Sequence, residues 1–156
     1  ILSDLGIYAF VVGVLAVTIG LVRWRVSRWD WRLGTVLLVV LALDYTLIAA
    51  YEAYSTGEGM QIHYKLVYLM GVAFPLTVLL TAGQFYEIDR RLGIALYVGG
   101  VVWALAAPFL FVVPTGWDGL YERALAFGKL GWFVTMGVMI WRDPDIVRRV
   151  PEDERS

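Results

Sequence analysis

The stretch LYERALAFGKLGWFVTMGVMIW, residues 120–141, decides the fold of this chain. It is almost entirely apolar, and it has about the ~20 residues that a helix needs to cross the hydrocarbon core of a bilayer. One lysine, Lys129, stands in its middle. Because a charge at the centre of a membrane span is costly, Lys129 is also the first candidate functional residue.

The composition agrees with a membrane protein. Hydrophobic residues make up 60% of the 156 residues, whereas soluble domains contain roughly 45–50%. The formal net charge of −1 argues against a nucleic-acid partner. The chain begins with Ile1 instead of Met, so we expect a processed or trimmed form.

Five apolar segments predict five transmembrane helices at residues 5–22, 33–54, 66–85, 92–113 and 120–141. Backbone polar groups in lipid must bond within their own segment, and the alternation of a β-barrel strand is absent, so each segment is expected to be α-helical. The expected fold is an all-α bundle with a single domain over residues 1–141. Residues 142–156 are predicted to form a charged cytoplasmic tail.

The charges of the connecting segments predict the orientation. The first and third loops and the tail carry ten arginines, whereas the second and fourth loops carry only Lys65. Since Lys and Arg mark the cytoplasmic side, we expect the N-terminus outside and the C-terminus inside. We expect the protein in the plasma membrane of a prokaryote.

Tryptophans and prolines add local expectations. Five tryptophans fall at predicted membrane interfaces, where they are typical of an aromatic belt: Trp24, Trp29, Trp31, Trp117 and Trp141. Pro75 and Pro108 lie within predicted helices and are expected to kink them. Trp103 lies near the predicted midplane, where a buried indole needs a partner for its N–H group or a flat surface to stack on.

Small residues form a stripe on the first helix, at Ala9, Gly13, Ala16 and Gly20. Such stripes allow close helix packing in membranes. Both a contact within the chain and a contact between copies in a homo-oligomer agree with the pattern.

Depth relates Lys129 to an acidic residue. Lys129 lies nine residues from the outer end of its segment, roughly 13–14 Å below the boundary at 1.5 Å per residue. Asp44 lies ten residues from the outer end of the second segment, so its depth is nearly the same. Because an unpaired midplane charge costs at least ~2.5–3.5 kcal/mol, we predict contact between Lys129 and Asp44. The pair serves either a function, such as an ion path or proton relay, or helix packing alone.

Further ionisable residues lie nearer the outer surface. Glu52 is two turns above Asp44, Glu122 is two turns above Lys129, and His63 is at the outer end of the third helix. We expect these side chains to line a polar path from the surface to the midplane pair.

Parts of three segments resemble the microbial rhodopsins. The stretch FGKLGWF is similar to the lysine, glycine and aromatic of that family's last helix, and VVWALAAPFLFVVPTG is similar to its preceding helix. The stretch YKLVYLMGVAFPLTVLL is similar to part of its third helix. The resemblance covers about the last fifty residues and part of the third segment, in a chain of five predicted helices instead of seven.

The resemblance implies a retinal cofactor. Lys129 would carry it as a Schiff base, and Trp103 and Pro108 would pack along the polyene. The region of the family's third-helix carboxylates here holds Leu69, Met70 and Gly71, so the counter-ion would be Asp44.

Three functions therefore compete. The first is translocation of an ion, proton or small solute by an oligomer, with Lys129 and Asp44 at the centre. The second is a retinal-binding photoreceptor, and the third is a non-catalytic membrane subunit or assembly partner. An enzyme fits worst, because the chain has no cysteine, one histidine and no recognisable metal or phosphate motif.

Overall fold

The computed structural model describes residues 2–24, 26, 28–52, 58–114 and 116–142. These residues form five α-helices, as predicted: α1 (Leu2–Arg23), α2 (Trp29–Glu52), α3 (Glu58–Ile88), α4 (Arg90–Ala106) and α5 (Asp118–Arg142). Each is long and apolar enough to cross a bilayer, and large apolar side chains are exposed along all five. A surface of this kind is stable in lipid and not in water, so the chain is an integral membrane protein. Residues 53–54 of the predicted second helix and the predicted tail from 143 onward lie outside the described part.

The helices pack in chain order, α1 on α2, α2 on α3 and α3 on α4, and α5 returns to pack against α1. Contacts between ends show alternating directions. Gly34 near the start of α2 faces Thr81 near the end of α3, and Gly20 near the end of α1 faces Ile140 near the end of α5. We call the end of the bundle at which α1, α3 and α5 begin the N-terminal end, and the opposite one the C-terminal end.

The helix prediction is wrong at Pro108. The fourth helix does not continue to residue 113, because α4 ends at Ala106 and a 3-10 helix follows over Ala107–Phe111. Proline has no N–H group, and its ring clashes with the preceding turn, so the α-helical hydrogen bonding stops before it and a 3-10 turn follows. Pro75, by contrast, lies inside α3 as predicted.

One residue, Asp89, separates α3 from α4. Its Oδ1 atom accepts hydrogen bonds from the backbone N–H groups of Arg91 and Leu92, at 2.8 and 3.3 Å, and thereby caps α4. The two helices then approach so closely at Gly93 that a Cβ atom there would lie 2.3 Å from the Cα atom of Tyr86. Glycine is therefore required at this crossing.

The aromatic-belt prediction is wrong for two of the five tryptophans. Trp24 and Trp31 are buried and stack with ring centroids 5.8 Å apart, and both contact Phe85 near the end of α3. Trp29 and Trp117 are exposed, as is Trp141, in agreement with the belt. Trp24, directly after α1, and Trp31, near the start of α2, both pack against the end of α3, and this packing buries the two indoles.

A polar cluster at the start of α2 joins this end of the helix to α3. The guanidinium of Arg28 donates to both carboxylate oxygens of Asp30, at 3.2 and 2.7 Å, and pairs with Glu87. The hydrogen bond from Arg28 to Asp30 raises the pKa of Arg28, so this side chain stays charged. Gln84 donates to the other oxygen of Glu87 at 3.2 Å. These contacts hold the C-terminal end of the bundle together.

Candidate functional site

Lys129 lies in the middle of α5, and its side chain is 7% exposed. Its Nζ atom donates to the Sδ atom of Met70 on α3, at 3.0 Å. The same atom lies 5.3 Å from the ring centroid of Tyr45 and 5.8 Å from that of Trp103. Aromatic faces and a thioether stabilise an ammonium group only weakly, so its charge is held without a full counter-charge in contact.

Lys129 borders a cavity of about 270 Å³ between α3, the end of α4 with its 3-10 helix, and α5. We call it the Lys129 cavity. Its walls are mainly apolar and include Met70, Leu76, Leu110 and Leu125. An apolar chamber with one buried amine is the usual form of a small-molecule site, in which a few polar groups orient a mainly apolar ligand.

Lys129 also borders a second cavity, of about 390 Å³, between α1, α2 and α5. Its walls include Phe10, Tyr45 and Phe127, together with Arg123. One amine thus contributes to both chambers. The packing of α5 explains this arrangement, because the half of α5 that precedes Lys129 is mostly exposed and does not fill the space on either side.

The direct contact that we predicted between Lys129 and Asp44 is wrong. Asp44 is 1% exposed, and neither of its carboxylate oxygens has a hydrogen-bond partner. No ion pair within 4.0 Å joins these two described residues, because the lysine side chain extends toward Met70 on α3. The two charges still act on each other through space. Their functional role stays a prediction.

Of the three outer residues predicted for the polar path, Glu122 lines the Lys129 cavity. Glu122 is exposed, lines the Lys129 cavity and acts electrostatically on Lys129. His63 is half-buried near the start of α3, with its ring 6.4 Å from that of Tyr64, and it does not line this cavity. The side chain of Glu52 lies outside the described part of the chain.

The structure brings together the three residues that the rhodopsin resemblance singled out. Lys129, Trp103 and Pro108 all line the Lys129 cavity. Trp103 is buried, its Nε1 atom donates to the carbonyl oxygen of Leu125 at 3.4 Å, and Phe74 meets its ring edge-on. The need for an indole partner is therefore met within the bundle, and Trp103 ties α4 to α5 beside the amine.

Sequence reasoning missed the residues that contact the amine. Met70 and Tyr45 are apolar-type residues within apolar helices, and nothing in their spacing distinguishes them from packing residues. Tyr121 was missed as well; its hydroxyl donates to the carbonyl oxygen of Ala106 at 2.7 Å. The interruption at Pro108 is a usable signal here, since the carbonyl groups of a helix end need donors from outside the helix.

Comparisons with known proteins place the chain in a family without adding a role. No curated protein and no solved structure matches it. A family model described as a protein of unknown function, DUF998, matches residues 1–139, which include all the residues of the site described above. The chain is therefore a member of the DUF998 family.

Proposed function

We propose that this protein binds a small amphipathic solute in the Lys129 cavity, with the apolar body against the cavity walls and an anionic head at Lys129. One observation carries the proposal: a buried lysine amine borders an apolar cavity, and none of the described carboxylates lies in contact with it.

The charge of the site favours an anion. A buried ammonium group whose hydrogen-bond acceptor is an uncharged thioether is less stable than in water, and an anionic ligand in hydrogen-bond contact would remove that cost. Glu122, near the start of α5, also acts on Lys129 through space and offsets part of this preference for an anion.

The walls favour a mainly apolar body. A hydrated inorganic ion would gain little from side chains such as Leu76, Leu110 and Leu125 and would lose part of its water shell. The volume of about 270 Å³ is close to the lower end of the range for ligand sites, so a short chain or a compact ring system fits best.

We extend the proposal to translocation of that solute by an oligomer in the plasma membrane of a prokaryote, with the N-terminal end of the bundle outside. The supporting observation is that Lys129 borders both cavities. A solute that leaves one chamber can meet the same amine from the other, so a single positive group can serve two positions along a route.

Binding can be tested with 1-decanesulfonate, whose sulfonate stays ionised at every working pH. The purified protein in lipid nanodiscs is titrated by calorimetry, and the heat of titrating empty nanodiscs is subtracted. We expect saturable binding that weakens roughly tenfold or more in Lys129→Met, because a charge-assisted contact is lost.

Two controls separate the site from bulk charge. Arg123→Met removes the same charge from the same helix at a position outside the Lys129 cavity, and it is expected to retain binding. Decyltrimethylammonium has the same chain with a cationic head and is expected not to compete. Equal affinity in the wild type and in Lys129→Met, with both proteins folded, would refute the proposal.

The common lining of one cavity by Lys129, Trp103 and Pro108 favours retinal as a second candidate ligand. Condensation of the aldehyde with the Nζ amine would release one water molecule, and the bound group would supply visible absorption. Asp44, which acts on Lys129 through space, is the residue proposed as counter-ion. The protein from cells supplied with all-trans retinal should then show a visible band that is absent in Lys129→Ala. A spectrum with aromatic absorption alone would exclude this candidate and leave the binding of an anion untouched.

A further inference from the structure

Asp44 has no role in the anion binding proposed above, and its environment is unusual. Both carboxylate oxygens are buried without a hydrogen-bond partner, in a side chain that is 1% exposed. An ionised carboxylate in such a place needs a compensating charge, and a neutral one does not. The protonation state of Asp44 must therefore depend strongly on the charges around it.

Lys129 is the charged residue that acts on Asp44. The charge of Asp44 acts electrostatically on Tyr45, the next residue of α2, and the hydroxyl of Tyr45 is buried with no hydrogen-bond partner among the described residues. The other titratable side chains described on α1, α3 and α5 make no hydrogen bond to Asp44 and do not act on it electrostatically: Tyr8, Arg23, His63, Tyr64, Lys65, Tyr68, Tyr86, Glu87, Tyr121, Glu122, Arg123 and Arg142.

The charge balance of the interior follows from this isolation. Without a ligand, the ammonium of Lys129 interacts through space with the carboxylates of Glu122 and Asp44, of which Asp44 is buried and Glu122 is exposed. An anion that binds at Lys129 takes over that compensation and leaves one surplus negative charge in the apolar interior. Protonation of the carboxylate removes the surplus, because a neutral carboxyl is far less costly to bury.

We infer that binding of an anion at Lys129 is coupled to uptake of one proton by Asp44, so that the protein handles its solute together with a proton. This inference rests on the proposed function. One proton from the solvent joins one carboxylate to form one carboxyl group, and no other bond changes. A transport cycle built on this site would move anion and proton together.

The second cavity offers the route for the proton. Tyr45, which follows Asp44 in the chain, lines this cavity, and its ring centroid lies 5.3 Å from the Nζ atom of Lys129. A solute in the Lys129 cavity leaves the second cavity open to water, so the proton can enter on that side before the solute moves on.

Calorimetry with 1-decanesulfonate tests the coupling. The titration is repeated at each pH between about 5 and 8 in two buffers of different ionisation enthalpy, and the difference in heat counts the protons taken up. Because the sulfonate does not titrate, every proton belongs to the protein. We expect the uptake to approach about one proton per bound sulfonate. Over the same range, the affinity for the sulfonate should fall up to about tenfold for each unit by which the pH is raised, because fewer protons are available for uptake.

Variants identify the acceptor. Asp44→Asn should bind the sulfonate with no proton uptake and with little dependence on pH. In Glu122→Gln and Tyr45→Phe the affinity for the sulfonate is expected to change, but the number of protons taken up per bound sulfonate should stay near one, because neither group is the proton acceptor.

The outcomes distinguish this inference from the proposed function. Absence of sulfonate binding refutes the proposed function. Binding by the wild type with no proton uptake at any pH overturns the coupling alone, as does undiminished uptake in Asp44→Asn. If Asp44→Asn does not fold, Glu122→Gln decides the assignment. Loss of proton uptake in Glu122→Gln would overturn the assignment to Asp44. Retained uptake in Glu122→Gln, together with an uptake of about one proton by the wild type, would support the assignment.

Discussion

The Nζ atom of Lys129 lies 3.0 Å from the Sδ atom of Met70, so the lysine on α5 bonds to α3, while the carboxylate of Asp44 on α2 has no hydrogen-bond partner in the described part of the chain. A thioether is a weak acceptor and carries no charge. The contact therefore orients the amine toward the Lys129 cavity without neutralising it.

The contact with Met70 leads to a first prediction. Met70→Glu places a carboxylate where the thioether stands, and it should form an ion pair with Lys129 and compete with any anion. We expect binding of 1-decanesulfonate to weaken roughly tenfold or more, measured by calorimetry in nanodiscs. Met70→Gln has nearly the same shape without the charge and should retain binding. Unchanged affinity in Met70→Glu would mean that the anion does not bind at this amine.

Replacing two neighbouring tryptophans by alanine is expected to have very different effects on stability. Trp31 is 2% exposed within the aromatic cluster, whereas Trp29 is 72% exposed. We expect Trp31→Ala to cost about 3–5 kcal/mol, because it leaves a cavity between Trp24 and Phe85. Trp29→Ala should change stability little. Thermal unfolding of both variants in the same detergent checks the difference, and equal losses would contradict the burial of Trp31.

The crossing of α3 and α4 predicts a requirement for glycine. Gly93→Ala would drive its Cβ atom into the backbone of Tyr86, at a cost of about 1–3 kcal/mol. Gly99→Ala on the same helix meets no atom within 4 Å and should be tolerated. The midpoint of thermal unfolding, compared with that of the wild type, is the measurement. A loss in Gly99→Ala as large as that in Gly93→Ala would contradict the crossing as the cause, because alanine is the better helix former at both positions.

The orientation can be tested directly because the chain has no cysteine. Lys65 lies near the N-terminal end of the bundle and Arg91 near the C-terminal end, and both are exposed. A membrane-impermeant maleimide added to intact cells should label Lys65→Cys and should label Arg91→Cys only after the cells are opened. The reverse pattern would invert the predicted topology.

The small-residue stripe on α1 predicts an interface between copies. Gly20 packs on Ile140 within the chain, but Ala9, Gly13 and Ala16 are exposed. Gly13→Leu should therefore dissociate an oligomer seen by light scattering of the purified protein. Gly99→Leu introduces the same side chain at another open position and should leave the oligomer intact. If the wild-type protein is a monomer, this interface between copies is excluded. The remaining hypothesis is then that the chain is a subunit that binds a different protein.

The sequence was sufficient for the helical architecture. Five apolar segments predicted five helices, and the structure has them, because lipid offers the backbone no other partner for its polar groups. The position of Lys129 within its span was also readable, since rise per residue converts spacing into depth. Helix ends were less accurate, as Pro108 shows, because a proline can stop an α-helix as well as bend it.

Only the tertiary structure decided which side chains meet. A membrane helix is apolar all round, so the sequence does not encode which face turns inward. For that reason two tryptophans expected at the interface are buried, and the lysine expected to pair with Asp44 contacts Met70 instead. The cavities follow from the same cause, because they depend on how α5 packs against its neighbours and not on any pattern within it. Sequence alone thus determined that a charge lies within the membrane, and packing determined what that charge faces.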